Sequence, residues 1–268
     1  FGSRLPRARA AAAAAMGNCA EGLASAGRGG KQPKPRVELQ YFPISGRAEA
    51  IRLALLLGDF DYTDRRVQGE EWKSLKSQTP YGQLPVLVLD PRGPKPTTLA
   101  QTKAILRYVG KLATYDGRPL YPADPLVAAK VDEVVDAFDD LWILLAPTYR
   151  LTDRALRESE RRRLFEEGGE GSRLVAIFEQ RLAESGLRQG RFVVPEAGLS
   201  VADLTCFCML NTLRSGFVEG LDPTIFDRYA GIVKHREVVA SIGPIRRYYE
   251  DEKRSNPSGM KQYQVFRN

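Results

Sequence analysis

The stretch VELQYFPISGRAEAIRLALLLG at residues 37–58 decides the fold of this chain. Val37, Leu39 and Tyr41 alternate with polar side chains, which is the period of a half-buried strand. Apolar side chains then recur every three or four residues as far as Gly58, and this spacing predicts a helix that ends at the glycine. The stretch therefore predicts a strand, a turn and a helix.

The chain continues this α/β pattern as far as residue 112. Residues 61–67 are typical of a strand, and EEWKSLK begins a short helix over residues 70–76. PVLVLD is a buried strand, and the Pro- and Gly-rich segment DPRGPKPTT predicts a turn between antiparallel strands. A last helix opens at Gln101 and Thr102. We therefore expect one α/β domain over residues 37–112.

Helical patterns follow a linker at residues 113–125, and they predict an all-α domain over residues 126–254. Ser200-Val201-Ala202-Asp203 has the form of a capping box in front of a nearly apolar helix. We expect Gly168, Gly169 and Gly171 to loosen the second helix midway. Residues 255–268 form a tail. The predicted helices of this domain cover residues 126–146, 153–185, 200–217, 223–229 and 235–253.

Composition excludes several classes of protein. The 268 residues suffice for two domains, and three cysteines are too few for a disulfide-stapled module. One histidine, His235, argues against a multi-histidine metal site. The net charge of +7 comes from Lys and Arg interleaved with Asp and Glu, so we expect no nucleic-acid partner.

Residues 1–36 are rich in Ala, Gly, Arg and Pro, and we expect a disordered leader. An organellar transit segment is one alternative. If Met16 is the start, Gly17 and Cys19 offer a site for lipid anchoring by N-myristoylation and palmitoylation, although Glu21 stands where Ser or Thr is usual. The expected location is the cytoplasm, and association with a membrane or an organelle is the alternative.

The motifs in residues 37–112 resemble those of the cytosolic glutathione S-transferases of the tyrosine type, in particular the sigma class. They are the Tyr-Phe entry, the GRAE helix start, the W-x-x-x-K spacing, the G-Q-L-P turn and the Gln-Thr helix start. The resemblance continues to about Arg254. It implies an α/β thioredoxin-like N-terminal domain plus an all-α C-terminal helical domain. It also implies a homodimer that uses glutathione as co-substrate and conjugates it to small hydrophobic electrophiles.

The resemblance assigns catalysis to Tyr41, with Arg47 as the nearby cation. A free thiol is mostly protonated at neutral pH, whereas the thiolate is the nucleophile. A neutral hydroxyl that donates to sulfur favours the anion without adding a second negative charge. Lowering the thiol pKa by two units requires about 2.7 kcal/mol, which a hydrogen bond and a nearby cation can supply.

The same resemblance assigns the remaining glutathione contacts. The Leu84–Pro85 peptide bond is expected to be cis, which turns the backbone so that Leu84 can pair with the cysteinyl part. Gln101 and Thr102 are expected to hold the γ-glutamyl carboxylate. Thr102 stands where serine is more common in the family. The full set of predicted glutathione-binding residues is Tyr41, Arg47, Trp72, Lys76, Gly82, Gln83, Leu84, Pro85, Gln101, Thr102 and Asp140.

Asp136, Asp139 and Asp140 share one helix face because their spacing is i, i+3, i+4. By resemblance, Asp140 reaches the glutathione amine of the other subunit. A divalent cation bound by the cluster between subunits and a plain solvated face are the alternatives. We assign no metal ligand.

Two other functions stay open. A glutathione-dependent isomerase of the prostaglandin D synthase type uses the same thiolate, but the tryptophan typical of that enzyme is missing near Pro147. The other is a non-enzymatic ligand-binding or structural protein on the same fold, since fold does not fix function.

Overall fold

The computed structural model of the chain describes residues 34–185 and 192–251. These residues belong to one compact unit. The expectations for the leader, including Met16, Gly17 and Cys19, and for the tail at 255–268 lie outside the described residues. The domain boundaries drawn from the sequence stay predictions.

The first part of the described chain forms a mixed four-stranded sheet in the order β2-β1-β3-β4. The first strand, β1, pairs in parallel with β2 and antiparallel with β3, and β3 pairs antiparallel with β4 across the Pro-rich turn. Apolar side chains of β1 and β3 are buried in the core. The strands are β1 (Val37–Tyr41), β2 (Tyr62–Arg66), β3 (Val86–Leu89) and β4 (Thr97–Ala100).

Three helices belong to this α/β part: α1 (Glu49–Leu57), α2 (Gly69–Leu75) and α3 (Thr102–Leu112). A single 3-10 turn, Gly46–Ala48, joins β1 to α1. The segment expected to be a plain linker contains a short hairpin of β5 (Thr114–Tyr115) and β6 (Arg118–Pro119).

The second part is helical, which confirms the predicted fold of a thioredoxin-like domain followed by an all-α domain. Its apolar helix α7 is buried along most of its length and packs against α1 and α4. The helices are α4 (Pro125–Leu145), α5 (Arg154–Phe165), α6 (Glu170–Glu184), α7 (Val201–Arg214), α8 (Ala230–Ala240) and α9 (Gly243–Glu250).

The prediction of one loosened helix over 153–185 is wrong, because the helix ends after α5 and a separate helix, α6, begins at Glu170. Gly168 has φ +80, a left-handed conformation that ends a helix. A Cβ at Gly169 would lie 2.5 Å from the carbonyl oxygens of Arg163 and Leu164. The two glycines therefore allow a tight corner rather than a bend.

Two further helix predictions need correction. Residues 223–228 form turns rather than a helix. The helix expected over 235–253 is divided, with α8 ending at Ala240 and α9 starting at Gly243. Pro244 sits in the first turn of α9, where its missing N–H costs nothing, and so it marks a new start.

The predicted capping box at the start of α7 is confirmed, and it is part of a buried polar cluster. Asp203 accepts hydrogen bonds from the backbone N–H of Ser200 at 2.9 Å and of Val193 at 2.9 Å. His235 Nε2 of α8 lies 3.0 Å from Asp203 Oδ1, and both side chains are fully buried. Asp203 therefore ties α7, α8 and the loop before α7 together.

Among the described residues, we find no helix with the length and apolar character that crossing a membrane requires.

The His235–Asp203 pair predicts a pH-dependent stability. Burial lowers the pKa of His235, but Cys206 and the carboxylate of Asp203 outweigh it and raise the pKa to about 10. Since the folded pKa lies above the unfolded value of about 6.5, the stabilisation is complete below pH 6.5 and is lost as pH rises towards 10. The free energy of unfolding should fall by up to about 1.4 kcal/mol per pH unit between pH 6.5 and 8.5.

Urea unfolding of the wild type and of His235→Gln at several pH values measures this slope. Burial also raises the pKa of the Cys208 thiol, so cysteine ionisation in the unfolded chain adds to the slope above about pH 8.5. The window below that pH isolates the histidine. Equal slopes in both proteins there would show that His235 is neutral in the folded state.

Candidate functional site

A groove of about 550 Å³ runs along the α/β part, between the segment after β1, the α2 region and the start of α3. It is open to solvent at one side, and Asp139 of α4 contributes to its lining from the helical part. Its lining residues are Phe42, Arg47, Trp72, Lys76, Tyr81, Gly82, Gln83, Leu84, Pro85, Ala100, Gln101, Thr102, Lys103 and Asp139.

Tyr41, at the end of β1, stands behind the wall of this groove rather than in it. Its side chain is only 6% exposed, and its neighbours Phe42 and Arg47 line the groove. The Tyr41 hydroxyl accepts a hydrogen bond from the backbone N–H of Arg47 at 3.2 Å. This bond fixes the oxygen but leaves the phenolic proton available to a further acceptor.

The surroundings of Tyr41 keep its phenol neutral. Burial raises its pKa, and the Arg47 N–H together with the charges of Arg52 and Arg47 offsets this only in part. Gly46 leaves the space that the hydroxyl occupies, because a Cβ there would lie 2.7 Å from the Tyr41 oxygen. Gly46 also has φ +43, which other residues adopt at a cost.

A second phenol, Tyr149, lies in the turn Ala146–Arg150 after α4. Burial raises the pKa of Tyr149 and the charge of Arg161 lowers it. Smaller effects come from Tyr41, which raises this pKa, and from Arg47, which lowers it. The Arg161 guanidinium lies over the Tyr149 ring at 4.7 Å. Tyr149 therefore lies within electrostatic range of Tyr41 and Arg47.

Arg47 connects the groove to α4. Its guanidinium binds Asp139 at 2.5 Å and lies 5.4 Å from the ring centre of Trp142. The Arg47 charge is therefore partly balanced by Asp139. A small cavity of about 40 Å³ adjoins this contact and is lined in part by Trp142, Thr205 and Met209.

The α2 side of the groove is aromatic and basic. The ring of Trp72 packs edge-on against Phe42, with 5.6 Å between ring centres. A capping box of Gln68 and Glu71 starts α2 and so orients Trp72 one residue later. The exposed side chain of Lys76 lies over Gly82, since a Cβ at that glycine would be 3.8 Å from Lys76 Cε.

The opposite side of the groove offers backbone groups. The Leu84–Pro85 peptide bond is cis, as we expected, and β3 starts directly after it. Gln101 stands at the N-cap of α3 with φ +70 and makes no side-chain capping bond. The N–H groups in the first turn of α3 and the Gln101 amide are thus free to bind an anion at the groove.

The aspartates of α4 divide between two surroundings. Asp139 lines the groove, while Asp136 and Asp139 both bind Lys103, at 3.1 and 3.3 Å. Asp140 is exposed and does not line the groove. Its predicted role concerns the other subunit and stays a prediction.

The aspartate cluster does not fit a divalent cation in this chain. No group of three or more His, Cys, Asp or Glu side chains in residues 34–185 and 192–251 is arranged to hold a metal. The carboxylates of Asp136 and Asp139 instead face the amine of Lys103 and the guanidinium groups of Arg107 and Arg47.

The structure brings together every predicted site residue except Tyr41, which stands behind the wall, and Asp140. The sequence reasoning missed Lys103 and Asp139 as groove residues. Asp139 was in the aspartate triplet that we singled out, but only its ion pairs with Arg47 and Lys103 distinguish it from Asp140. Lys103 carried no signal beyond its place directly after Gln101 and Thr102.

Comparisons with known proteins agree with this geometry. Residues 37–111 match the family model of the glutathione S-transferase N-terminal domain. The chain is similar to glutathione S-transferase 1 of Ascaris suum, with 29% identity over 80% of this chain and 95% of that protein. It is also similar to S-crystallin 2 of Octopus vulgaris, with 30% identity over 66% of this chain and 80% of that one.

Among solved structures, rat hPGDS complexed with a quinoline has a similar fold. The TM-score is 0.66 at 26% sequence identity, over 80% of this chain and 96% of that chain.

The backbone of Gln101 predicts an unusual effect of mutation. A non-glycine residue at φ +70 costs about 1–3 kcal/mol, so Gln101→Gly should raise the free energy of unfolding by about 1 kcal/mol despite the added freedom of the unfolded chain. Thr102→Gly, the matched control at the first residue of the helix, should lower it by about 0.3–0.5 kcal/mol. Denaturant unfolding measures both. A loss of stability in Gln101→Gly would mean that the Gln101 side chain stabilises the fold by more than its backbone costs.

Proposed function

The chain belongs to the glutathione S-transferase family, and from that premise we propose that it is a glutathione transferase. It binds glutathione in the groove, activates the thiol through Tyr41 and transfers the sulfur to hydrophobic electrophiles. The observation that carries this proposal is a neutral phenol, held by a backbone N–H, beside a groove with donors along its length.

The chemistry of the groove suits a tripeptide with two carboxylates. The γ-glutamyl carboxylate meets Gln101, Thr102 and the first N–H groups of α3. The cysteinyl part pairs with the backbone of Leu84, beside Gln83 and Pro85. The glycyl carboxylate lies at the other end, where Trp72 and Lys76 form a basic aromatic wall.

Tyr41 then stabilises the thiolate. Its oxygen already accepts from the Arg47 N–H, so its single proton is available to the sulfur of glutathione. The raised pKa keeps that proton on the phenol at neutral pH. Because a charge-assisted hydrogen bond is stronger than a neutral one, it favours the thiolate over the thiol.

The electrophile approaches from the helical part. Trp142 offers aromatic surface there beside the guanidinium of Arg47, and Tyr149 follows in the turn after α4. These side chains favour acceptors with a flat apolar body.

We further propose a homodimer in the cytoplasm, with Asp140 reaching the glutathione of the other subunit. The exposed Asp136, Asp140 and Ile143 lie on one face of α4 at a spacing of four and three residues. Such a face suits a subunit contact that is polar at one end and apolar at the other.

A non-enzymatic role is the alternative that the likeness to an S-crystallin favours. A structural protein has no need for the α3 N-terminus and the α2 wall to line one groove beside a neutral phenol, which supports the enzyme. The isomerase reading draws on the likeness to rat hPGDS. Retention on a glutathione column, turnover of a chlorodinitrobenzene-type acceptor and turnover of a prostaglandin endoperoxide separate the three functions.

Tyr41→Phe tests the proposed role of the phenol. Losing a hydrogen bond to a charged acceptor, worth about 1.5–3 kcal/mol, should lower kcat/KM with a chlorodinitrobenzene-type acceptor about ten- to a hundredfold. Retention on a glutathione column should stay unchanged, because the other contacts remain. Tyr115→Phe, in the β5–β6 hairpin, is the matched control and should keep full activity. Full activity in Tyr41→Phe would remove this residue from the mechanism.

Gly46→Ala tests the placement of the hydroxyl without removing it. The new methyl group would lie at 2.7 Å from the Tyr41 oxygen, so the ring must turn away. We expect a fall in kcat/KM of at least about tenfold, because small displacements of a catalytic group are costly. Thermal unfolding is measured in parallel. A variant that folds normally and keeps full activity would mean that the hydroxyl tolerates displacement.

A further inference from the structure

Lys103 bridges two carboxylates at the contact between α3 and α4. Its Nζ lies 3.1 Å from Asp136 Oδ1 and 3.3 Å from Asp139 Oδ2. The two aspartates are one helical turn apart on α4, so they would repel each other without a cation between them. The Lys103 side chain is 37% exposed and Asp139 is 17% exposed, which keeps part of this interaction away from solvent.

The bridge reaches the candidate active site through one further contact. Asp139 Oδ1 binds the Arg47 guanidinium, and the backbone N–H of Arg47 binds the Tyr41 hydroxyl. Lys103 holds the other oxygen of the same carboxylate. The position of Asp139, and with it that of Arg47, therefore depends on the amine of Lys103.

The ion pairs continue beyond Asp136, so that positive and negative side chains form a row along α3 and α4. Arg107 donates to Asp132 Oδ1 at 2.6 Å and to Asp136 Oδ1 at 3.2 Å, and the Tyr121 hydroxyl donates to Asp132 Oδ2. Within the described part of the chain, this row joins the carboxylates of Asp132, Asp136 and Asp139 to the cations Arg47, Lys103 and Arg107.

The three carboxylates of the row are balanced by its three cations, so its net charge does not attract a further cation. Burial lowers the pKa of Lys103, but the bonds to Asp136 and Asp139 outweigh it and raise the pKa above its usual value. The amine therefore stays charged at neutral pH. A divalent cation would have to displace it or add two positive charges to a neutral row.

We propose that Lys103 is a built-in counter-ion that takes the place of a divalent cation at this face and positions Asp139 against Arg47. The wild-type protein then neither binds Mg²⁺ or Ca²⁺ at the aspartates nor responds to them. Removing the amine opens a site between the two carboxylates for a divalent cation. The effect on glutathione rests on the function proposed above, whereas cation binding does not.

The experiment compares the metal-free wild type with Lys103→Gln, Lys103→Arg and Lys130→Gln. Calorimetric titration with CaCl₂ or MgCl₂ measures cation binding, and steady-state kinetics measure KM for glutathione with and without each salt. The wild type should show no binding and no change in KM. Lys103→Gln should raise KM about fivefold with less than about a twofold change in kcat, and Ca²⁺ should bind and restore KM.

The other variants fix the interpretation. Lys103→Arg keeps the charge and should, like the wild type, bind no Ca²⁺. Lys130→Gln breaks an exposed pair with Glu196 and should change neither KM nor cation binding. Saturable Ca²⁺ binding by the wild type that lowers its KM, or a Lys103→Gln protein indifferent to Ca²⁺ in both assays, would overturn the proposal.

Two controls keep the test decisive. If Lys103→Gln does not fold, the titration of the wild type still tests the claim that the aspartates take up no divalent cation. If the wild type turns over no acceptor, the proposed function fails, but calorimetry and the shift of the thermal midpoint with Ca²⁺ still test the counter-ion.

Discussion

The hydrogen bond from the Arg47 backbone N–H to the Tyr41 hydroxyl is the contact on which this site depends. It joins the end of β1 to the turn that starts α1, and Gly46 gives it room. The bond holds the phenolic oxygen in place and leaves its proton available to a further acceptor. The catalytic reading of the groove therefore rests on the backbone of a short turn rather than on a side chain that can be exchanged easily.

Positive and negative side chains are paired around that contact, so the site carries little net charge. Arg47 is close enough to favour an anion, yet Asp139 holds it in place. Behind Asp139, the row of Lys103 and Arg107 balances the acidic face of α4. In the function proposed above, the thiolate meets a neutral phenol and a cation whose charge Asp139 partly balances.

Local chemistry made much of this structure predictable from the sequence. The alternation at Val37–Tyr41, the cis Leu84–Pro85 bond and the Ser200–Asp203 capping box depend on neighbours in the chain, and all three are present. The helix breaks at Gly168 and before Gly243 were missed, because the apolar spacing on both sides of each break is helical and does not show where one helix ends and the next begins.

The partners of Asp139 and Lys103 were beyond sequence reasoning for a different reason. Three aspartates on one face of α4 are equivalent in the sequence, and the ion pairs with Arg47 and Lys103 that distinguish them form only in the folded chain. The position of Tyr41 behind the wall is similar, because the motif gives the residue but not its depth.

The pKa of the glutathione thiol in the bound state tests the central claim most directly. It is measured by the ultraviolet absorbance of the thiolate as pH is raised, in the wild type and in Tyr41→Phe. We expect a bound pKa about two units below the free value of about 8.5 in the wild type, and a return towards the free value in the variant. The same pKa in both proteins would contradict it.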